Sequence, residues 1–390
     1  YDYAPLNQDS VKTAAKQLFG ETLVPRYQFA EAKVILALDS DPFGRDLSAP
    51  EYSRDFMAGR DVEANGEMSR LWSVGSMMNG TAALADERMP LPTSSVGLFL
   101  ADLEAAVSGK PLESDSEQAK FLAALAKDLR ENSGKAVVVV GDQQPAEVHV
   151  RAMRLNVALG AIGSTVVMQP AEELTEGGSL ASLEALSSTI DAGQVKGLLV
   201  LGANPVYASP GDLDIGAKIA KVPFSVHLGL YDDETSAKCK WHVNQAHCLE
   251  SWTDARSADG TYLLGQPAIE PLFGGKSVIE LLSLLMGVEQ APEELIQETV
   301  ALSGKSWEKA LHDGFVIGSE VQPSTAEAGT VQLPAVEGDW QDTKVPPAKN
   351  AELVFADLEE GYESYQEYDG DGGHDPNSEP SVHGYIRFKN

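Results

Sequence analysis

Basic residues are scarce in this chain: of 390 residues, 29 are Lys or Arg against 59 Asp or Glu, a formal net charge of −30. That deficit excludes a nucleic-acid binder, which needs a cationic footprint on the phosphates, and it argues against docking on an anionic membrane surface. The acid serves solubility or adaptation to salt, or it forms a face that docks a basic partner such as a small electron carrier. Cysteine is nearly absent, with two in the chain. That is too few for a disulfide scaffold or for an iron–sulfur cluster held by four thiolates. No C-x-x-C-H haem attachment site occurs. Long hydrophobic runs are missing too: the longest, VILAL at 34–38 and AVVVV at 136–140, are strand-length, far below the roughly 20 residues of a membrane-spanning helix. The G-x-G-x-x-G and G-x-x-x-x-G-K-[ST] phosphate loops and the G-x-S-x-G nucleophile elbow are likewise absent. The chain starts at Tyr1 with no initiator Met and no signal-like segment, so it reads as a fragment or a processed form.

What is present is an alternation of strand and helix signals. DSVKTAAKQLF has helical spacing with Asp9 as N-cap. Strands are expected at KVILALDSDPFG, RLWSVGS, KAVVVVGDQQ, STVVMQP, VKGLLVLGANP and FSVHLGL. Between them, EYSRDFMAGR, EQAKFLAALAKDLRENSG (Gly134 placed as a C-cap), PAEVHVRAMRLNVALG (Pro145 in its first turn) and SLASLEALSSTIDAG read as helices. SVIELLSLLMG and APEELIQETVALSG are further helical segments. This order predicts an α/β fold whose sheets are largely parallel and covered on both faces. Beyond about residue 320 the chain is rich in Pro, Gly and acid and reads as irregular. The expected division is a first Rossmann-like domain at 1–165, a second at 166–285, a helical extension at 286–319 and an acidic tail at 320–390.

Loops at the carboxyl ends of parallel strands face the crevice where ligands bind. Two share a form, LDSDP (Leu38 to Pro42) and LGANP (Leu201 to Pro205). In the second, Gly202 lets the backbone approach a phosphate or pterin and Asn204 offers side-chain hydrogen bonds; the other reading is a plain strand-to-helix turn. Cys239, His242, His247 and Cys248 are zinc-type residues, but adjacent His247 and Cys248 cannot easily face one ion, and a packed loop or a Cys239–Cys248 disulfide competes. Glu250, Asp254, Arg256 and Asp259 read as acid–base machinery or, preferably, as a loop held by an internal ion pair. Asp369 to Asp375 looks like half a calcium loop without the closing Glu. His149 reads as a packed or capping histidine. No catalytic residue is expected.

Taken in order, AKVILALDSDPFG, GDQQPAEVHVRAMRLNVALGAIGSTV, VKGLLVLGANPVYASP and FSVHLGLYDDETSAKCKWHVNQAHCLESWTDARSADGT resemble the molybdopterin oxidoreductase superfamily, over roughly residues 25 to 285. With QPAIEPLFGGKS, the last stretch is most similar to the molybdopterin-like part of the large iron–sulfur subunit of alternative complex III, a quinol:electron acceptor oxidoreductase. The resemblance implies two interleaved Rossmann-like domains and a scaffold without molybdenum cofactor. It also implies [4Fe–4S] and [3Fe–4S] clusters in a downstream domain of the same subunit. Multihaem cytochrome c and integral membrane quinol-binding subunits would be its partners, on the periplasmic side of the bacterial inner membrane. KCKWHVNQAH stands where working molybdenum enzymes show A-D-V-V-L-P, and YLLGQP where they carry an Asn/Arg-rich pterin-binding stretch, so cations for a pyrophosphate are scarce. The alternative is a piece of a working molybdopterin guanine dinucleotide enzyme, with Gly202, Ala203, Asn204 and Pro205 touching the pterin.

Overall fold

The structure is a computed structural model, and it describes residues 3, 7–111, 114–171, 178–288, 290–334 and 340–341. In chain order its strands are β1 (Leu23–Tyr27), β2 (Val34–Leu38), β3 (Arg70–Gly75), β4 (Glu87–Pro90), β5 (Ala136–Val140) and β6 (Val166–Pro170). They continue as β7 (Gly197–Leu201), β8 (Phe224–Gly229), β9 (Trp241–Asn244), β10 (Thr253–Arg256) and β11 (Tyr262–Gly265). Contacts gather the chain into two units, Gln28–Thr165 with Thr330–Asn390, and Tyr1–Tyr27 with Val166–Gly329.

The unit of Gln28–Thr165 holds a parallel sheet in the order β4-β3-β2-β5. Strands β2 and β5 are uninterrupted apolar runs because every one of their residues is buried. Helices Val96–Val107, Glu117–Glu131 and Ala146–Ala158 supply Phe99, Leu103, Leu122, Leu129 and Leu155 to a core shared with Leu36 and Val138 of the sheet. Strand β5 is an edge among the described strands, and an edge leaves backbone groups unpaired. Asn156, from helix Ala146–Ala158, satisfies them: its Oδ1 accepts from Val138 N at 2.9 Å and its Nδ2 donates to Val138 O at 2.8 Å. Trp340 also belongs to this core. It is 1% exposed, sits edge-on to Phe99 and donates from Nε1 to Asp102 at 2.7 Å.

In the other unit β7, β8 and β9 form a parallel sheet in chain order. Strand β6 is not part of a parallel sheet; it pairs antiparallel with β1, from Leu23↔Pro170 to Tyr27↔Val166. This pairing, with Asp9 accepting from Ser179 N at 2.7 Å, draws residues 1–27 away from the sequence they precede, whereas the composition-based division kept them in 1–165. Asp9 therefore lies inside helix Asp9–Phe19 instead of capping it; Gln8 holds the cap position. The β10–β11 hairpin packs Tyr262 and Leu264 against Ile296, Val300, Ala310 and Val316, so the helices after residue 286 join the same unit. Helix Glu117–Glu131 ends at Asn132, and left-handed Gly134 follows two residues later, its N–H bonded to Leu159 O. Residues 320–334 form no helix or strand. Apart from Trp340 and Gln341, the remainder of the acidic tail, including the half calcium loop at Asp369 to Asp375, lies outside the described residues. No helix among the described residues is long and apolar enough to cross a membrane.

Candidate functional site

In the β4-β3-β2-β5 sheet the chain order reverses between β2 and β5, which makes their carboxyl ends the switch point where α/β sheets bind ligands. The LDSDP loop leaves β2 there. Asp39 is buried and left-handed at φ 47°, a conformation tolerated in Asp better than in most residues. Its carboxylate faces inward over the strand ends and accepts from Ser76 N at 3.2 Å, Gln143 Nε2 at 3.1 Å and Gln144 Nε2 at 3.1 Å. Gln144 also reaches Thr93 O at 3.1 Å. Gly141 opens the loop after β5, but the space beside it is full: a Cβ there would stand 2.1 Å from Asp39 O and 2.6 Å from Gln143 Oε1. Asp41 is turned to Thr81, accepting from its N at 3.0 Å and its Oγ1 at 2.6 Å. His149, in the first turns of the following helix, is buried; burial pushes its imidazole down to about 4 against an opposing hydrogen bond to the Gln144 backbone carbonyl, so it is neutral near pH 7.

The LGANP loop follows β7, an edge of the β7-β8-β9 sheet, in the other unit. Gly202 takes φ 62°, which glycine accommodates without strain, and its N–H donates to Leu228 O at 2.8 Å. A Cβ on Gly202 would lie 3.4 Å from Gln245 Oε1, an ordinary van der Waals contact, so Gln245 is the nearest side chain to an otherwise exposed glycine. Asn204 caps the short helix Pro205–Ala208. Its Oδ1 accepts from Thr235 Oγ1 at 2.7 Å and Tyr207 N at 3.3 Å, and its Nδ2 donates to Glu234 at 2.7 Å. Ala203 contributes its carbonyl to His227 Nε2 at 3.2 Å, and Pro205 opens the helix turn.

Behind this loop is a pair that sequence reading passed over. His227 and His242 are register partners on β8 and β9, with Nδ1 atoms 3.1 Å apart. A carbonyl only accepts, so the Ala203 bond places the proton of neutral His227 on Nε2, and its Nδ1 then accepts from His242. His227 is 1% exposed, and burial lowers its pKa; Asp233, with Oδ1 3.7 Å from Nδ1, opposes that and His242 adds to it. Gly229 makes room for the ring, since a Cβ there would come within 2.5 Å of His227 Cε1. The usable signal was the equal distance of the two histidines along neighbouring strands, but it required β9 to be recognised.

The other candidates separate. Cys239 is half-buried against Ile215 and Ile219, Cys248 is exposed beside His247, and both are free thiols. No group of three or more His, Cys, Asp or Glu side chains among the described residues is arranged to hold a metal ion. Glu250 accepts from His247 N and Leu272 N, Asp254 from Tyr262 Oη, and Arg256 donates to Gly260 O. Asp259 is raised by burial yet held at about 2 by hydrogen bonds from Ser257 and Thr261 and by Arg26 at 3.6 Å. These four residues shape the β10–β11 hairpin and its surroundings and do not converge on one point.

A pterin dinucleotide brings a pyrophosphate, which calls for free N–H donors or cations. At the two loops Gln143 Nε2, Gln144 Nε2, Gly202 N and Asn204 Nδ2 donate within the chain. Carboxylates stand where cations would be needed: Asp39 in one unit, Asp233 and Glu234 in the other. The charge beside the loops is therefore ill matched to a pyrophosphate.

Comparison with known proteins supports the resemblance to molybdopterin oxidoreductases. The chain is 28% identical over 321 residues to the menaquinone reductase, molybdopterin-binding-like subunit of Nitratidesulfovibrio vulgaris (strain Hildenborough), an alignment covering 70% of this chain and 46% of that one. Its fold is similar to that of acetylene hydratase from Pelobacter acetylenicus, with TM-score 0.57, 15% identity, and coverage of 78% of this chain and 54% of that one. The chain thus spans about half the length of either relative. No family model matches it.

Proposed function

We propose that the chain is a cofactor-free, molybdopterin-oxidoreductase-like scaffold within a subunit of a respiratory quinone or quinol oxidoreductase complex of the alternative complex III type. The observation that carries the reading is that polar side chains of both strand-end loops are bonded within the chain and that carboxylates stand beside them. Gln143 and Gln144 bond Asp39, and Thr235 and Glu234 bond Asn204. The name of the Nitratidesulfovibrio relative, a molybdopterin-binding-like subunit of a menaquinone reductase, supports the assignment to such a complex. In this reading the domain positions redox centres held by its neighbours: an iron–sulfur domain of the same subunit, a multihaem cytochrome c and integral membrane quinol-binding subunits, on the periplasmic side. The carboxylates at the strand ends also make the loops unreceptive to stray anions.

The test is elemental analysis of the intact purified complex with iron as internal standard, together with oxidative release of pterin fluorescence. Iron without molybdenum, tungsten or pterin is the expected result. Stoichiometric molybdenum or tungsten with extractable pterin overturns the proposal and restores the loop Gly202 to Pro205 as a cofactor cradle.

A further inference from the structure

Three groups stand in line at the LGANP loop: the Ala203 carbonyl, the His227 ring and the His242 ring. Ala203 O lies 3.2 Å from His227 Nε2, and the two Nδ1 atoms are 3.1 Å apart with ring centroids at 5.1 Å. Two neutral imidazoles carry two ring protons, and this line uses both. His227 Nε2–H donates to the loop, and His242 Nδ1–H donates to His227 Nδ1. The remaining lone pair belongs to Nε2 of His242, which is half-buried, whereas His227 is 1% exposed.

Added protons affect this line in two different ways. A first proton goes to His242 Nε2 and leaves both hydrogen bonds in place. The cation it makes is drawn to Asp233, whose Oδ1 is 3.7 Å from His227 Nδ1, and to Asp232 beside it. A second proton has His227 Nδ1 as its place. There it sets two N–H donors head to head across 3.1 Å and brings two cations into contact, one of them in a buried site. The acceptor nearest a new His227 Nδ1–H is Asp233 Oδ1, so the ring is drawn off the line from Ala203 to His242. The charged groups around the pair are Asp232, Asp233 and Glu234 from the loop after β8. Glu234 is already bonded to Asn204 Nδ2 at 2.7 Å, and Lys240, just before β9, reaches Ala220 O at 3.4 Å instead. We infer that His227 and His242 form a proton-operated latch on the LGANP loop, closed with two or three ring protons on the pair and open with four. The latch is made of this chain's own groups and works whether or not the loop holds a pterin.

The test is an acid titration of the full chain, with the histidine ring nitrogens followed by NMR and amide hydrogen exchange measured alongside. The rings of His227 and His242 should change together in two separate steps, because the protons belong to the pair. Exchange at Gly202, whose N–H bonds Leu228 O at 2.8 Å, should hold through the first step. Through the second it should quicken at least about tenfold after correction for the intrinsic rate. The Val138 amide in the other unit should stay protected meanwhile, which separates the latch from global unfolding. His242→Gln should abolish the quickening, since a Gln amide can turn its oxygen to the new N–H. Asp233→Asn, which keeps an acceptor for Thr235 N and Ser236 N, is the second variant should His242→Gln fail to fold. It should move the first step to lower pH by removing the carboxylate. Rings that titrate independently, quickening at Gly202 in the first step, or its persistence in His242→Gln overturns the inference. So does a first step that Asp233→Asn leaves unmoved.

Discussion

Strands β2 and β7 are each followed by a loop that ends in Pro, but β2 lies between two parallel neighbours and β7 at an edge with one, and they meet solvent differently. All five residues of β2 are buried, whereas β7 buries Val200 and leaves Gly197 and Leu199 exposed. The first sheet is sealed by three helices and by Trp340, and even its edge is satisfied by Asn156. The second unit keeps apolar surface outside: Phe224 and Trp241 at the sheet, and the leucines of helix Val278–Met286. The contrast teaches that an interior strand is buried where an edge strand is not, while both units also carry exposed apolar side chains, Leu47 and Met78 in the first among them.

This comparison can be broken or sharpened, beginning with the largest effect. Trp340→Ala should cost about 3–5 kcal/mol in urea unfolding, since it empties a core position and orphans Asp102. A small loss would mean that the sealed unit does not depend on its C-terminal segment. His149 gives a pH signature. Its folded pKa is about 4 against an ordinary value of 6.5, so the unfolded chain binds the extra proton between these limits. Stability should therefore fall by up to about 3 kcal/mol as pH drops from 6.5 to 4 and should stop falling through this group below that. His149→Phe should flatten that part of the profile; an unchanged slope would place the titration elsewhere. Asn156→Leu should cost about 2 kcal/mol by leaving both Val138 backbone groups unpaired, read as faster hydrogen exchange at Val138. Asn204→Ala removes a cap in the more open unit and should cost about 1 kcal/mol. If it cost as much as Asn156→Leu, the two units would be equally constrained and the contrast would fail.

Much of the fold was legible because its signals are local. VILAL and AVVVV are continuous apolar runs, which a strand buried on both faces requires, and they became β2 and β5 with the expected bounds. The G-A-N-P loop was found by its punctuation, since Gly202 and Pro205 act on their own backbone dihedrals. Other features were hidden because they depend on distant partners. Gln143 and Gln144 carry no pattern of their own, and their role appears only when β2 and β5 bring them to Asp39, more than 100 residues away. The histidine pair needed the β8–β9 register, and Trp340 lay in a stretch whose composition reads as irregular.

Alone, the sequence determined the alternation of strands and helices, the excess of negative charge and the places where glycine and proline turn the chain, because each follows from side-chain chemistry within a few residues. Tertiary structure decided which segments share a unit, that β1 and β6 run antiparallel, that Gln143 and Gln144 meet Asp39 and that Leu284 and Leu285 of helix Val278–Met286 are exposed. Those outcomes turn on which distant groups come within a few ångströms of one another, and contact at that range is set by the packing of the whole unit.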